Sequence, residues 1–274
     1  MSQRINWFWR SIVIFMTFLG ILVSLNQFFY WNLFGISFVN NSFLYIILSL
    51  FLPLVFVILP ASKRRNTSGV PWYDVILFSV TIILSIYFSI HGTEIINKGW
   101  DYAAPPLATI FSFVFWLIVL EALRRTAGKV VASIALFFSL YPLFTSKIPI
   151  DFLQGVSMDF INVARNHTFG ANSILGIPLQ AAGTILIGFL LFGVVLQHTG
   201  GANFFYNIAQ TIFGRMRGGS AKVSIVSSSL MGMMSGSAVS NVLTTGPMTI
   251  PSMKKDGFDS YYAASVEATA STGG

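Results

Sequence analysis

The chain has 274 residues, 54% of them hydrophobic and only 9% charged, and it contains no cysteine. A soluble domain carries about 25% charged residues, so this composition excludes a water-soluble globule, and the lack of thiols excludes a disulfide scaffold and thiolate metal or redox sites within the chain. The formal charge of +7, from 16 Lys and Arg against 9 Asp and Glu, would suit nucleic acid only if the basic residues formed a stripe on a soluble face; they lie instead in short clusters between long apolar runs.

A helix that crosses the hydrocarbon core of about 30 Å needs about 20 mostly apolar residues. The first such run is Ser11 to Phe34, preceded by Arg4 and Arg10. It is too long, and too aromatic at its far end, to be a cleaved signal peptide, and no small-x-small site follows, so it reads as a retained span. Further spans are expected at about Ser42 to Leu59, Val75 to Ile90 and Ala104 to Leu123, followed by a short run at Val130 to Ser146 and a strong one at Ile177 to Leu196.

Basic residues are retained on the cytoplasmic side. With the N-terminus inside, the inner segments hold Arg4, Arg10, Lys63, Arg64, Arg65, Arg124, Arg125, Lys129, Arg215, Arg217, Lys222, Lys254 and Lys255, and the outer ones only Lys98, Lys147 and Arg165. That asymmetry predicts a cytoplasmic N-terminus. Two mixed stretches stand apart from the spans. Phe152 to Phe169 is expected to be a helix lying at the outer surface and Phe204 to Phe213 an inner counterpart, with loops of some helical propensity as the alternative for each.

From Lys222 to Lys254 the sequence reads KVSIVSSSLMGMMSGSAVSNVLTTGPMTIPSMK. Both ends are basic and so inside, yet the residues between are too few for two crossings, so a hairpin over about 223–253 that enters and returns on one side is expected. Ser235-Gly236-Ser237 and Thr244-Thr245-Gly246-Pro247 are expected to interrupt its helices. Non-helical backbone cannot face lipid, so such a tip is buried in protein or lines a watery cavity. Its carbonyls and Ser, Thr and Asn oxygens are hard ligands for an alkali cation, and a half-helix N-terminus offers N–H groups to an anion. Asn241 and Thr244, three apart, would share a helix face. The alternative is close helix packing, through the GxxxG spacing of Gly232 and Gly236 and hydroxyls bonding back along their helices. After the basic turn Lys255-Asp256-Gly257-Phe258, Ser260 to Thr269 starts a helix containing Glu267, an ionisable residue expected to be functional or paired inside the bundle. Ala270-Ser271-Thr272-Gly273-Gly274 is expected to break that helix, and a chain ending on such a break reads as part of a longer protein.

The stretch MGMMSGSAVSNVLTTGPMTIPSMKKDGF followed by YYAASVEATASTGG resembles the first hairpin and following broken helix in the large membrane component of tripartite ATP-independent periplasmic (TRAP) transporters. The resemblance covers about Val130 to Gly274. Four preceding spans make the whole look like the fused small-plus-large permease, with four and twelve helices, whose partner is a periplasmic substrate-binding protein of the TAXI type. The resemblance implies an all-α polytopic membrane protein, with a four-helix scaffold over 1–128 and the N-terminal part of the transport component over 129–274. It further implies the re-entrant hairpin and discontinuous helix of a first inverted repeat, in an elevator-type carrier of the bacterial inner membrane. The implied activity is sodium-coupled import of organic anions, above all carboxylates. Carried over to this chain, Ser235, Gly236, Ser237 and Asn241 would form a sodium site with Ser271, Thr272 and Gly273, while Thr244, Thr245, Gly246 and Thr249 would line the substrate cavity. No cofactor is implied beyond Na+ as coupling ion.

His91, His167 and His198 share no metal-ligand spacing, and HExxH, P-loop and GxSxG patterns are missing, which disfavours an enzyme. Asn26, Gln27 and Glu121 read as interhelical bonding or interfacial snorkelling, with a transport role as the alternative. Rival readings are a structural membrane scaffold, another sodium- or proton-coupled anion carrier without a binding protein, and a channel, which would need a continuous pore.

Overall fold

The computed structural model describes residues 5–31, 39–61, 69–147, 154–236 and 238–273, and within these all side chains but those of residues 197, 235 and 240. Arg4, Lys63, Arg64, Arg65, Lys147's successors 148–153 (with Asp151 and Phe152), Ser237 and Gly274 therefore lie outside or at the edge of the described residues. Every regular element among the described residues is helical: α1 (Trp7–Phe29), α2 (Asn40–Ile58), α3 (Trp72–Ile90), α4 (Gly92–Asn97), α5 (Trp100–Ala103), α6 (Pro106–Thr126), α7 (Gly128–Leu140), α8 (Phe160–Phe169), α9 (Ile177–Ala181), α10 (Ile187–His198), α11 (Gly201–Phe213), α12 (Gly219–Ser235), α13 (Ala238–Lys255) and α14 (Ser260–Gly273). Trp7–Phe29, Asn40–Ile58, Trp72–Ile90, Pro106–Thr126 and Ile177–Leu196 are long and apolar enough to cross a membrane. The last contains a π turn over Ala182–Leu186 between α9 and α10. The chain is thus an all-α, polytopic membrane protein.

Two expectations change here. The run at 130–146 becomes α7 and two 3₁₀ turns, Tyr141–Leu143 and Thr145–Lys147; thirteen helical residues rise about 20 Å, short of the hydrocarbon core. The surface helix expected over 152–169 starts only at Phe160, and Val163, Ala164, Thr168 and Phe169 are buried as α8 packs on α5 and α6. The face carrying these four residues is covered by protein, while Phe160 and Ile161 at the start of α8 are exposed.

The chain divides into two compact units, Met1–Ile185 and Leu186–Gly274. The division expected at 128/129 falls inside the first unit, because α7 and α8 both pack on α6. In that unit α2 is the best-buried span, with Phe43, Leu44, Tyr45, Phe56 and Val57 fully covered. Tyr45 and Phe88 meet at 5.3 Å between ring centroids, Phe88 and Phe115 at 5.5 Å, Phe88 and Phe169 at 5.1 Å, and Trp100 and Phe169 at 5.7 Å, the edge-to-face spacings aromatic rings favour. The buried Tyr45 hydroxyl donates to Thr168 O at 2.8 Å, and Thr168 Oγ1 donates to Ser112 O at 3.0 Å, so both of these hydroxyls are satisfied by backbone carbonyls.

One end of the first unit carries a buried charge cluster. Asp74, in the first turn of α3, pairs with Arg125, in the last turn of α6, at 2.7 Å, with side chains 0% and 1% exposed. Arg125 Nε also donates to Glu121 Oε1 at 2.8 Å and Nη1 to Leu59 O at 3.2 Å, while the guanidinium lies 4.9 Å from the Phe56 ring centroid. An acid at a helix start and a base at a helix end also suit the helix dipoles. The bonds place the end of α2, the start of α3 and the end of α6 on one side of the unit.

Close helix approach within this unit depends on Gly92. A Cβ at that position would lie 2.9 Å from the backbone nitrogen and 3.1 Å from the Cα of Ser42, besides meeting its hydroxyl. Backbone cannot swing aside as a side chain does, so Gly92→Ala is expected to destabilise the protein by about 1–3 kcal/mol, read as a lower midpoint in thermal unfolding. An unchanged midpoint would show that α2 and α4 can separate without loss.

Candidate functional site

In the second unit α12 and α13 form a hairpin, and α11 and α14 pack against it. The turn between the arms needs a residue with positive φ, supplied by Gly236 (φ +59°), whose N–H closes α12 on Gly232 O at 3.2 Å; a side chain there would be strained. The arms hold 17 and 18 residues, about 26 Å each at 1.5 Å per residue, slightly under the hydrocarbon thickness. At the far end of α13, Gly257 N–H bonds to Lys254 O and Phe258 N–H to Met253 O, both at 3.1 Å, a Schellman turn. Lys254 and Lys255 fall in the last turn, where the helix dipole favours cations.

Three stripes of four-residue spacing meet inside this packing: Ser220, Ser224 and Ser228 of α12, Asn241, Thr245 and Thr249 of α13, and Glu267 and Ser271 of α14. All eight are buried, and Glu267 is 0% exposed. Its carboxylate is ringed by hydroxyls. Ser224 and Thr249 donate to Oε2 at 2.7 Å each, Ser228 and Ser271 to Oε1 at 2.9 and 3.3 Å, and Thr245 also bonds Oε1. Ser228 Oγ lies 2.8 Å from Ser271 Oγ and 3.2 Å from Thr245 Oγ1. Thr245 and Thr249 reach fallback acceptors in their own helix, Asn241 O at 2.9 Å and Thr245 O at 3.1 Å. A buried charge needs such compensation, and a hydroxyl has a single proton but can both donate and accept. The pairing of 224 with 249 and of 228 with 245 across the carboxylate makes the arms antiparallel, which brings the Lys222 and Lys254 ends to the same end of the hairpin. Tyr206 of α11 reaches the same base, 3.1 Å from Ser252 Oγ.

Of the residues expected to form a sodium site, Ser235 ends α12, Gly236 is the tip, Asn241 is buried in the first turn of α13, and Ser271 joins the hydroxyl ring; Ser237 lies outside the described residues. Thr272 is exposed and bonds back to Ala268 O at 2.8 Å. The helix break expected at 270–274 does not occur among the described residues. The α-helix α14 continues through Ser271, Thr272 and Gly273: the Thr272 hydroxyl is turned back onto Ala268 O and the Ser271 hydroxyl is engaged by Glu267 and Ser228, so neither competes for the local backbone in a way that favours a break.

The interruption expected at Thr244-Thr245-Gly246-Pro247 also does not occur, for α13 carries Pro247 and Pro251 within it. A proline costs a helix one N–H bond, and the packing of α12 and α14 on this segment holds it in place. Among the residues expected around a substrate, Thr244 is half-buried, whereas Thr245, Gly246 and Thr249 face the interior, two of them on Glu267. The inward stripe is 241/245/249, so Asn241 and Thr244 do not share it. Sequence reasoning placed Glu267 inside the bundle but missed its partners; the four-residue recurrence of Ser at 220, 224 and 228 was the available signal. Two histidines take structural positions in the first unit: His91 Nδ1 lies 2.9 Å from Tyr87 O, and His167 stacks on Trp116 and bonds Ser139 O at 2.8 Å.

The family model described as "Tripartite ATP-independent periplasmic transporter, DctM component" matches residues 114–274, more than half of the chain. An uncharacterized protein of Salmonella typhimurium, YgiK, is 28% identical over 138 residues, covering 48% of this chain and 32% of that protein, so the chain spans only part of the length of the curated relative it matches. No solved structure matches.

Proposed function

The chain belongs to the tripartite ATP-independent periplasmic transporter family, DctM component, and from that premise we propose that it is permease machinery of a sodium-coupled importer of organic anions, above all carboxylates. The family match over 114–274 carries this reading. The hairpin of α12 and α13, with a glycine tip and basic residues at its base, supports it, because a compact helical unit with small polar residues at a tip is suited to hold an ion and an anion while moving as a body. In this reading the sodium ion sits near Ser235, Gly236, Ser237 and Asn241, with Ser271, Thr272 and Gly273 close by, and Thr244 and Gly246 lie toward the substrate. Thr245 and Thr249 serve the substrate cavity indirectly, by holding α13 on Glu267. The protein works by an elevator motion in the bacterial inner membrane, with its N-terminus cytoplasmic and its first spans as a scaffold fused to the transport unit. A TAXI-type periplasmic protein delivers the substrate.

Uptake by the complete transporter and its binding protein, reconstituted in proteoliposomes, is expected to fall to background when the sodium gradient is removed. Uptake that continues undiminished in potassium alone would refute sodium coupling. The same assay without the binding protein is expected to show no uptake.

A further inference from the structure

Asn241 occupies an unusual position in the hairpin. Its side chain is 0% exposed, and one amide atom lies 2.7 Å from Ser228 O. A carbonyl oxygen only accepts, so that atom is Nδ2, and the amide cannot be turned the other way. Its other atom, Oδ1, is buried without a hydrogen-bond partner. An orphaned buried acceptor is costly, and an amide oxygen is a hard neutral ligand of the kind that binds alkali and alkaline-earth cations. The orientation is fixed from behind. Ser228, whose carbonyl holds the amide, is itself tied by its hydroxyl to Glu267 Oε1 at 2.9 Å, and the Asn241 Nδ2 is 3.4 Å from that hydroxyl. Asn241 O in turn accepts from Thr245, which also bonds the same carboxylate oxygen.

We propose that Glu267 is the positioning residue of the cation site: through Ser228 and Thr245 its carboxylate locks the Asn241 amide by its NH₂ group and so presents Oδ1 to a sodium ion. The inference rests on the sodium-coupled reading above. Glu267 touches neither ion nor substrate; it acts through Asn241, and its negative charge also offsets the positive end of the α13 dipole near which the ion would sit.

The test is sodium-dependent thermal stabilisation of the full chain in detergent, with choline replacing sodium to hold ionic strength constant. The wild type is expected to be stabilised saturably by sodium. Glu267→Gln is expected to raise the half-saturating sodium concentration about tenfold, the loss of about one interaction's worth of orientation. Ser228→Ala, which cuts the relay while leaving the carboxylate its other hydroxyls, is expected to do the same and keeps the test valid if Glu267→Gln fails to fold. In an Asn241→Ala background, which itself weakens sodium binding, Glu267→Gln is expected to add nothing, since residues acting in series are not additive. A wild type with no sodium response overturns the sodium reading and this inference together. A responsive wild type whose sodium affinity is unmoved by both Glu267→Gln and Ser228→Ala overturns the relay alone, as does full additivity with Asn241→Ala; a lower melting temperature with wild-type sodium affinity marks Glu267 as merely structural.

Discussion

Arg125→Ala is expected to destabilise the first unit by about 3–5 kcal/mol, the cost of breaking a buried ion pair from one side. The guanidinium reaches Asp74, Glu121, Leu59 O and the Phe56 ring from a site where it is 1% exposed. Truncation leaves the Asp74 carboxylate, 0% exposed, buried without its cation. Arg125→Lys is expected to recover only part of the loss, because an ammonium cannot meet two acids and a carbonyl in the planar fork that guanidinium provides. The double variant Asp74→Asn/Arg125→Met should be milder than Arg125→Ala alone, as it removes both charges and retains volume. Thermal unfolding of the purified protein in detergent checks all three; an Arg125→Ala midpoint equal to wild type would mean that water reaches this cluster and screens it.

Glu267→Ala is expected to cost about 3 kcal/mol in the second unit, through a combination of cavity and stranded donors. The loss is smaller than five hydrogen bonds would suggest. Thr245 and Thr249 can return to the carbonyls of Asn241 and Thr245, and Ser228 and Ser271 can bond one another. Ser224 loses the acceptor it has on Glu267, and the carboxylate that joins α12, α13 and α14 is gone. Limited proteolysis should therefore open the hairpin first, with new cuts near its tip, while the first unit stays protected. Thr269→Ala, an exposed hydroxyl two residues along the same helix that bonds only back to Ser265 O, should leave both the midpoint and the cleavage pattern unchanged. Identical proteolysis of wild type and Glu267→Ala would show that the carboxylate does not hold the hairpin.

Helix placement was largely legible because about 20 apolar residues in a row have few alternatives in lipid. The apolar runs at 42–59, 75–90 and 104–123 correspond to α2, α3 and α6 with small shifts at their ends, and the hairpin and its glycine turn lie where the basic flanks and small residues placed them. Local signals misled where a residue's intrinsic preference opposed its packing. Pro247 and the Gly-containing run before it argued for a break, as did Ser271-Thr272-Gly273, yet both segments are helical. Each is held by neighbours that no local window contains. Asp74 is unmarked in the sequence, since its partner Arg125 lies on another helix and spacing along the chain carries no trace of the pair.

The sequence by itself determined that this is a helical membrane protein, which residues enter its spans, and that a hairpin with same-sided basic ends precedes a helix bearing Glu267. Hydropathy and charge act segment by segment, so a linear reading captures them. Only the tertiary structure decided which polar residues meet. The convergence of Ser224, Ser228, Thr245, Thr249 and Ser271 on one carboxylate, and the unpartnered oxygen of Asn241 beside them, depend on the rotation of three helices about their axes. That rotation is set by packing among residues far apart in the chain, and a side chain's partners follow from it.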